Sequence, residues 1–224
     1  MKAIILAAGI GSRLGNSNPK PLTKLNNGES ILGRQVAYLS EYLGVTNIIA
    51  IVGYKKDLIM ESFPNLLYVY NNFYDTTNTS KSLLAGINKI KNENVLWLNG
   101  DVVFEKELLP QIIKCSKSCM AVNTNSVGEE EIKYNIFDDG NIKEVSKTVS
   151  PALGEAVGIN KLISSDLSLF KENLEKCDEQ DYFEKALELS IQDGMKIMPG
   201  DINKYLCMEI DFEDDLEQIN KIIK

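Results

Sequence analysis

The hydrophobic positions of the first half of the chain form short, continuous runs. Four of them are predicted strands: "KAIILAA", "NIIAIVGY", "LLYVYN" and "NVLWLNGDVV". The first two have the continuous apolar content of parallel strands that are buried on both faces. Amphipathic segments separate the runs, and in "SILGRQVAYLSEYLG" Ser30 can cap a helix that Gly44 ends. Further helices are predicted in "KKDLIMESF", "TNTSKSLLAGINKIK" and "EKELLPQIIKCSKS", followed by a strand in "CMAVNTN".

The second half has a different pattern. The segment "KYNIFDDGNIKEVSK" alternates around Asp-Asp-Gly, which predicts a β-hairpin. A strand "EAVGINKLI", two helices, the segment "MKIMPG", a strand "YLCMEIDF" and a closing helix "EDDLEQINKII" follow. We therefore predict one α/β domain, in which a mostly parallel mixed sheet carries helices on both faces and an inserted hairpin.

The loop after the first predicted strand combines glycines with positive charge. Its glycines stand at 9, 11 and 15, and Arg13 and Lys20 accompany them. This spacing fits neither the dinucleotide fingerprint nor the Walker A loop. Glycines still allow backbone N–H groups to form an anion-binding nest, to which Arg13 and Lys20 would add charge. The sequence therefore predicts a phosphate-binding loop at the carboxyl edge of the sheet.

Two aspartates follow other predicted strands, Asp101 in "WLNGDVV" and Asp211 in "MEIDF". With no arginine beside them, they suit a hard cation such as Mg²⁺ that holds substrate phosphates. Lys147 follows the hairpin, and "TTNTSKS" offers Asn78 and Ser82 for helix capping or for base-edge hydrogen bonds. Trp97 alternates within a strand and is expected in the core.

Composition limits the class of protein. The 224 residues include 44% hydrophobic and 25% charged residues, as in soluble globular proteins, and the net charge of −8 argues against non-specific binding to nucleic acid or acidic membranes. No apolar run approaches the length of a membrane span, and the N-terminal segment lacks the cleavage region of a signal peptide. The four cysteines form no CxxC pair and there is no histidine, so we expect free thiols in a cytoplasmic protein.

With these residues assembled, the chain resembles the sugar-1-phosphate nucleotidyltransferase superfamily. The resemblance rests on "LAAGIGSRL" with "PKPL", on "NGD" after the fourth strand and on the terminal "EIDF", in that order. Within the superfamily, "NNFYDTTNTSKSLLAG", "VSK" and "GEAVGI" resemble the small cytidylyltransferases that activate phosphocholine or 2-aminoethylphosphonate. The resemblance implies a Rossmann-like, GT-A-like fold, with a nucleotide-binding half at 1–122 and an acceptor-binding half at 123–224.

The resemblance also implies roles for individual residues. Arg13 would contact the β- and γ-phosphates, Lys20 the reacting phosphoryl oxygens, and Asp101 and Asp211 would hold Mg²⁺. The full set of residues expected to contact the nucleotide is Leu6, Ala8, Gly9, Gly11, Ser12, Arg13, Lys20, Asn78, Ser82 and Asp101. Those expected to contact the acceptor are Lys147, Glu155 and Tyr134.

The expected reaction transfers CMP from CTP to a small phosphonate or phosphate acceptor and releases pyrophosphate. A quaternary ammonium favours an aromatic cage, for which Tyr134, Phe137 and Tyr182 would have to serve in place of the single tryptophan. A primary amine favours carboxylates, which Glu129, Glu130, Glu131 and Glu155 provide, so 2-aminoethylphosphonate is favoured over phosphocholine. The alternatives are a sugar-1-phosphate nucleotidyltransferase using UTP, TTP or GTP and a non-catalytic nucleotide-binding relative. The oligomeric state is open, a homodimer included.

Overall fold

The structure is a computed structural model that describes residues 1–11, 14, 18–125, 127–128 and 131–223. Four parallel strands form one half of its main sheet, in the order β4, β1, β2, β3: β1 (Lys2–Ala7), β2 (Ile48–Val52), β3 (Leu67–Tyr70) and β4 (Val95–Asn99). Every residue of β2 is buried, as is every residue of β1 after Lys2. This burial confirms the prediction of parallel strands from continuous apolar runs.

The other half of the main sheet contains an antiparallel strand, β9 (Gly154–Leu162). It pairs with β4 on one side and with β6 (Cys119–Asn123) on the other, and β10 (Met198–Asp201) extends the sheet in parallel with β6. The predicted hairpin is present as β7 (Lys133–Ile136) and β8 (Ile142–Ser146), with Gly140 in its turn at a φ of +81°. The sheet is therefore mixed, as predicted, because β9 runs against both of its neighbours.

Helices cover both faces of the sheet, which confirms the predicted architecture. One face carries α1 (Ile31–Leu43), α2 (Lys56–Ser62) and α4 (Leu109–Ile113), and the other carries α3 (Thr79–Ile87), α5 (Leu167–Lys176) and α6 (Phe183–Gln192). Ser30 caps α1 by accepting a hydrogen bond from the N–H of Gly33 at 3.0 Å, and Gly44 ends it. Trp97 is a core residue, as expected: its ring stacks on Phe170 with centroids 5.2 Å apart.

Two predicted strands have different boundaries in the structure. The segment "NVLWLNGDVV" divides at Gly100 and Asp101 into β4 and a separate strand, β5 (Val102–Phe104). From "YLCMEIDF" only β11 (Cys207–Glu209) is a strand, and it pairs antiparallel with β5 in a second, two-stranded sheet. The closing helix α7 (Glu213–Ile222) packs through Ile219 in a third apolar cluster, together with Val103 and Ile210.

The predicted helix "EKELLPQIIKCSKS" is also shorter than expected. A 3-10 turn at Lys106–Leu108 leads into α4, which ends at Ile113. Further 3-10 turns lie at Lys20–Leu22, Val45–Asn47 and Ser164–Asp166. Among the helices of the described residues, none combines the length and the apolar character needed to cross a bilayer.

Candidate active site

A buried cation lies at the carboxyl edge of the parallel strands. The side chain of Lys20 is 11% exposed, and its Nζ donates to Asp101 Oδ2 at 2.6 Å and to Asp211 Oδ1 at 2.5 Å. Lys20 is the first residue of a 3-10 turn. Pro19 directly precedes it and the buried Pro21 directly follows it, so the backbone is restricted on both sides of Lys20. The structure thus brings together the three residues to which the sequence assigned phosphoryl and metal contacts.

The pairing of β5 with β11 explains how the two aspartates meet. Val102 lies opposite Glu209, and one step further the N–H of Ile210 donates to the carbonyl of Asp101 at 3.1 Å. Asp211 follows directly, and its own N–H donates to Asp215 Oδ2 at 2.9 Å, which anchors it to the start of α7. The second, two-stranded sheet therefore determines the distance between the two carboxylates.

The charge of Lys20 is held by its surroundings. Burial alone would lower the pKa of Lys20, but the charges and hydrogen bonds of Asp101 and then Asp211 outweigh it and raise that pKa above its ordinary value. The ammonium consequently stays protonated throughout the neutral and mildly alkaline range. It supplies a permanent positive charge to the edge of the sheet.

Two glycines allow the backbone to close around Lys20. Gly11 has a φ of +65°, and a Cβ there would lie 2.5 Å from the Cβ of Lys20. A Cβ on Gly100 would lie 2.6 Å from the carbonyl oxygen of Leu6 and 3.1 Å from Pro21. Side chains at these positions would push the first loop and the turn of Asp101 away from Lys20.

Glu209, which sequence reasoning did not select, also belongs to this cluster. Its Oε1 accepts a hydrogen bond from Asn99 Nδ2 at 3.0 Å, and a Cβ on Gly158 would lie 2.6 Å from that same oxygen. Burial raises the pKa of Glu209, and the nearby charge of Asp101 raises it further. The alternation in "MEIDF" could have identified it, because Glu209 and Asp211 are two positions apart on a strand-like segment and share a side.

The oxygen donors at this edge fit a divalent cation. Asp101 Oδ1 is buried and accepts no hydrogen bond from the described residues, while Oδ2 contacts Lys20. Within the described ranges no group of three or more ligand side chains is assembled for a metal. Mg²⁺ is commonly held by one or two carboxylates plus substrate phosphates and water, and two carboxylates are what Asp101 and Asp211 provide.

A small cavity of about 70 Å³ lies at the end of β1, where the carbonyl of Leu6 accepts from the N–H of Gly100, the residue before Asp101, at 2.9 Å. It contains five of the residues predicted to contact the nucleotide, and its full lining is Leu6, Ala8, Gly9, Tyr74, Thr77, Asn78, Thr79 and Ser82. Asn78 caps α3, with its Oδ1 accepting from the N–H of Thr79 at 2.8 Å. Ser82 Oγ accepts from Asn71 Nδ2 at 3.0 Å. These bonds fix the start of α3, which lines the cavity together with Ala8 and Gly9 of the first loop. Predicted contacts at Ser12 and Arg13 lie outside the described residues.

Two of the predicted acceptor residues, Lys147 and Glu155, lie near Glu131. Lys147 Nζ is 6.0 Å from the ring centroid of Tyr182. Glu155 Oε2 accepts from the N–H of Gly128 at 3.0 Å, and burial followed by the charges of Glu155 and Asp211 raises the pKa of Glu131. Lys147, Glu131, Glu155 and Asp211 therefore share one electrostatic environment. Glu129 and Glu130 lie outside the described residues.

Tyr134, the third predicted acceptor residue, lies in the core of the protein. It is 3% exposed in the main core, and a Cβ on Gly154 would lie 3.0 Å from its ring. With so small an exposed area, the ring of Tyr134 has almost no surface that a ligand could contact. The contact of Tyr134 with the acceptor stays a prediction, and the burial of its ring argues against it.

Residues 3–166 match the model of the MobA-like NTP transferase domain. The chain belongs to this family. Its sequence is 33% identical over 121 residues to the CMP-5'-(3-aminopropyl)phosphonate synthase of Streptomyces rubellomurinus, a match that covers 50% of this chain and 19% of that protein. It is 38% identical over 111 residues to the choline-phosphate cytidylyltransferase of Streptococcus pneumoniae, covering 44% of this chain and 47% of that protein. The aligned segments thus span less than half the length of each of these relatives.

Solved structures with the same fold cover nearly the whole chain. The CTP:phosphocholine cytidylyltransferase of Streptococcus pneumoniae superposes with a TM-score of 0.80 at 20% identity, over 100% of this chain and 99% of that one. The inositol-1-phosphate CTP transferase of T. maritima superposes with a TM-score of 0.81 at 18% identity, over 99% and 94%. These similarities confirm the predicted nucleotidyltransferase fold.

Proposed function

We propose that the protein is a cytidylyltransferase that transfers CMP from CTP to a small phosphonate or phosphate acceptor and releases pyrophosphate. The observation that carries the proposal is the contact of Lys20 with both Asp101 and Asp211 beside the cavity at the start of α3. The arrangement offers a permanent cation, two metal-type carboxylates and a pocket at one edge of the sheet. Two relatives support the choice of CTP, one named as a choline-phosphate cytidylyltransferase and one named as the synthase of a CMP-linked phosphonate.

The proposed reaction is an in-line displacement. An acceptor oxyanion attacks the α-phosphorus of CTP, a P–O bond forms, and the bond to the β-phosphate oxygen breaks as pyrophosphate leaves with the electron pair. The acceptor is already ionised at neutral pH, so the transfer requires no general base and the absence of histidine is no obstacle. The chain contributes positioning and neutralisation of developing charge.

Asp101 and Asp211 are the residues that would hold Mg²⁺, which when bound neutralises phosphate charge. In the present structure the ammonium of Lys20 lies against both carboxylates. We infer that Lys20 turns toward the phosphoryl oxygens when CTP is bound, because the nucleotide supplies new negative charge beside it. Arg13 is proposed as a second contact to the triphosphate.

For the acceptor we propose 2-aminoethylphosphonate rather than phosphocholine. Trp97 and Tyr134 are 1% and 3% exposed, so of the rings that could form a cage for a quaternary ammonium only Phe137 and Tyr182, each 47% exposed, present a face. Carboxylates are close instead, since Glu131 and Glu155 lie near Lys147 and Asp211. A relative named as an aminoalkylphosphonate synthase agrees with this choice.

Pyrophosphate release tests the proposal. We would measure it with CTP, UTP, TTP and GTP, each combined with 2-aminoethylphosphonate, phosphocholine and sugar 1-phosphates. We expect turnover with CTP and 2-aminoethylphosphonate. Release with a sugar 1-phosphate and UTP, TTP or GTP, but not with CTP and either head group, would overturn it.

A further inference from the structure

A buried amide lies behind the small cavity at the start of α3. Asn71 directly follows β3 and is 6% exposed, and its N–H donates to the carbonyl of Val52 at 2.9 Å. Its side chain contacts both Thr77 and Ser82, which line the cavity, although Asn71 is not part of the lining itself. Asn71 can therefore act on a ligand in the cavity only through these two hydroxyl groups.

The hydrogen bonds of Asn71 fix which end of its amide faces which neighbour. The N–H of Phe73 can only donate, and it lies 3.0 Å from Oδ1 of Asn71. The Nδ2 group donates one hydrogen to Thr77 Oγ1 at 3.1 Å and the other to Ser82 Oγ at 3.0 Å. A flipped amide would place its NH₂ group against the N–H of Phe73, so the hydrogen bonds themselves settle the orientation.

This orientation determines the direction of the two hydroxyl groups. Thr77 Oγ1 donates to the carbonyl of Phe73 at 2.7 Å, so its hydrogen is used there and a lone pair is left. Ser82 Oγ accepts from Asn71, and none of the described residues accepts the hydrogen of its hydroxyl. The wall of the cavity therefore has an unused donor at Ser82 and an unused acceptor at Thr77.

Cytosine and uracil differ in the polarity of the base edge that such a wall would contact. Cytosine has an acceptor at N3 beside the donating amino group at N4, whereas uracil has a donor at N3 beside the acceptor O4. A donor at Ser82 and an acceptor at Thr77 match cytosine and oppose uracil at both atoms. Polar atoms left unpaired in a buried site are costly, so a mismatched base is rejected.

We propose that Asn71 is the positioning residue that makes the nucleotide site select cytosine over uracil, because it holds Ser82 as a hydrogen-bond donor. This inference rests on the proposed function and gives the physical cause of its nucleotide preference. Asn71 acts through Ser82 and does not itself contact the base.

The test inverts the hydrogen-bonding polarity of Asn71. Asn71→Asp keeps the size of the side chain and can still accept from the N–H of Phe73, but its second oxygen can only accept. At about pH 8 the introduced carboxyl is ionised, because that N–H and the neighbouring hydroxyls donate to it. The hydrogen of Ser82 then turns from the cavity to the carboxylate, and Ser82 presents a lone pair to the base, which opposes cytosine and matches uracil.

Isothermal titration calorimetry with CTP and with UTP, in the presence of Mg²⁺ and without acceptor, measures the preference as a ratio of dissociation constants. Wild-type protein should favour CTP at least about tenfold, and Asn71→Asp should lower this ratio at least about tenfold. Added negative charge or a general loosening of the site weakens both nucleotides alike and leaves the ratio unchanged. The matched control Asn72→Asp adds the same charge at the exposed neighbouring position and should keep the wild-type ratio. A wild-type ratio in Asn71→Asp would overturn the inference.

Ser82→Ala tests whether Asn71 acts through Ser82. It removes the donor, so it should lower the ratio, and adding Asn71→Asp to it should lower the ratio no further. A second, equal decrease in the double variant would contradict action through Ser82. If Asn71→Asp does not fold, as judged by circular dichroism, Asn71→Ala takes its place: without the amide the hydroxyl of Ser82 turns in either direction, and an unchanged ratio would again overturn the inference.

Failure of the proposed function would look different. Wild-type protein that binds CTP selectively but releases no pyrophosphate with any of the acceptors would overturn the transfer, while the ratios would still decide the role of Asn71. Wild-type protein that binds UTP as tightly as CTP, or binds neither, would overturn the choice of CTP and this inference together.

Discussion

The Nζ atom of Lys20 lies 2.5 Å from Oδ1 of Asp211, although the two residues are 191 positions apart in the chain. The turn between two prolines brings the lysine to the edge of the sheet, and the pairing of β11 with β5 brings the aspartate. The same ammonium is 2.6 Å from Asp101. One cation therefore connects the first loop, the turn after β4 and the segment before α7.

Replacing Lys20 should slow the transfer itself. Lys20→Met removes a charge donor placed beside the reacting phosphate and should lower kcat about a hundredfold or more, as loss of one preorganised donor does. The measurement is steady-state pyrophosphate release at saturating CTP and acceptor. Lys24→Met, an exposed lysine of the same segment, is the control and should keep wild-type kcat. A Lys20→Met protein with normal kcat and a raised KM alone would contradict the role in transfer.

Replacing Asp211 should weaken divalent-metal binding. Asp211→Asn removes one of two proposed carboxylate ligands, and the loss should exceed the roughly tenfold that follows even when an outer-shell partner is removed. Electron paramagnetic resonance of free Mn²⁺, titrated into protein with CTP, measures this directly. Asp214→Asn alters an exposed neighbour and should leave the affinity unchanged. Equal Mn²⁺ affinity in the two variants would argue that the metal lies elsewhere.

A side chain at Gly158 should disturb the carboxylate cluster. Gly158 has a φ of +68°, and a Cβ there would lie 2.6 Å from Glu209 Oε1 and 2.7 Å from Asn99 Nδ2. Gly158→Ala should therefore cost more than the roughly 1–2 kcal/mol expected for a left-handed alanine alone, and should lower turnover. Chemical unfolding and pyrophosphate release check the two effects.

Gly140→Ala provides the comparison for Gly158. Gly140 has a φ of +81° in the hairpin turn, but a Cβ there would meet nothing within 4 Å. Its substitution should carry the backbone cost without the clash and should keep near-normal turnover. If the two variants lose the same stability and activity, the contacts of Gly158 with Glu209 and Asn99 are unimportant.

Glu184 should make stability depend on pH in a defined direction. Its pKa is raised from 4.5 to about 7, so between these values the folded protein holds a proton that the unfolded chain has released. The free energy of unfolding should fall as pH rises through this window, by about 3 kcal/mol at most from this group. Lys147 and Glu209 are the charged groups that interact with it.

The measurement is urea unfolding of wild-type protein and Glu184→Gln from pH 4.5 to pH 8. Because glutamine does not titrate, the stability of wild-type protein relative to the variant should decline with pH and level off above about pH 7. A relative stability that rises with pH would mean that the ionised carboxylate is well compensated in the free protein.

Loss of the ring beneath Trp97 should destabilise the fold. Phe170 is fully buried and stacks on Trp97 at 5.2 Å, so Phe170→Ala should cost about 3–5 kcal/mol. Phe137→Ala removes a ring that is 47% exposed and should cost much less. Urea unfolding of both variants distinguishes the core contribution from a general effect of removing phenylalanine.

Several features follow from local patterns and could be predicted from the chain alone. Continuous apolar runs are stable only where both faces of a strand are covered, so they identified β1 and β2 as buried parallel strands. The Asp-Asp-Gly turn placed the hairpin of β7 and β8, and Ser30 marked the start of α1. The loop that contains Lys20 was recognisable as a candidate phosphate-binding loop, because it combines glycines with positive charge.

Other features depend on which distant segments pair, and no local pattern contains that information. The course of β9 against both neighbours and the pairing of β5 with β11 arise from long-range register. That register decides that Lys20 contacts two aspartates and that Glu209 joins them. The sequence by itself determined which residues carry charge at the ends of strands. The tertiary structure decided which of those charges meet, because burial and distance set the strength of a charge interaction far more than residue type does.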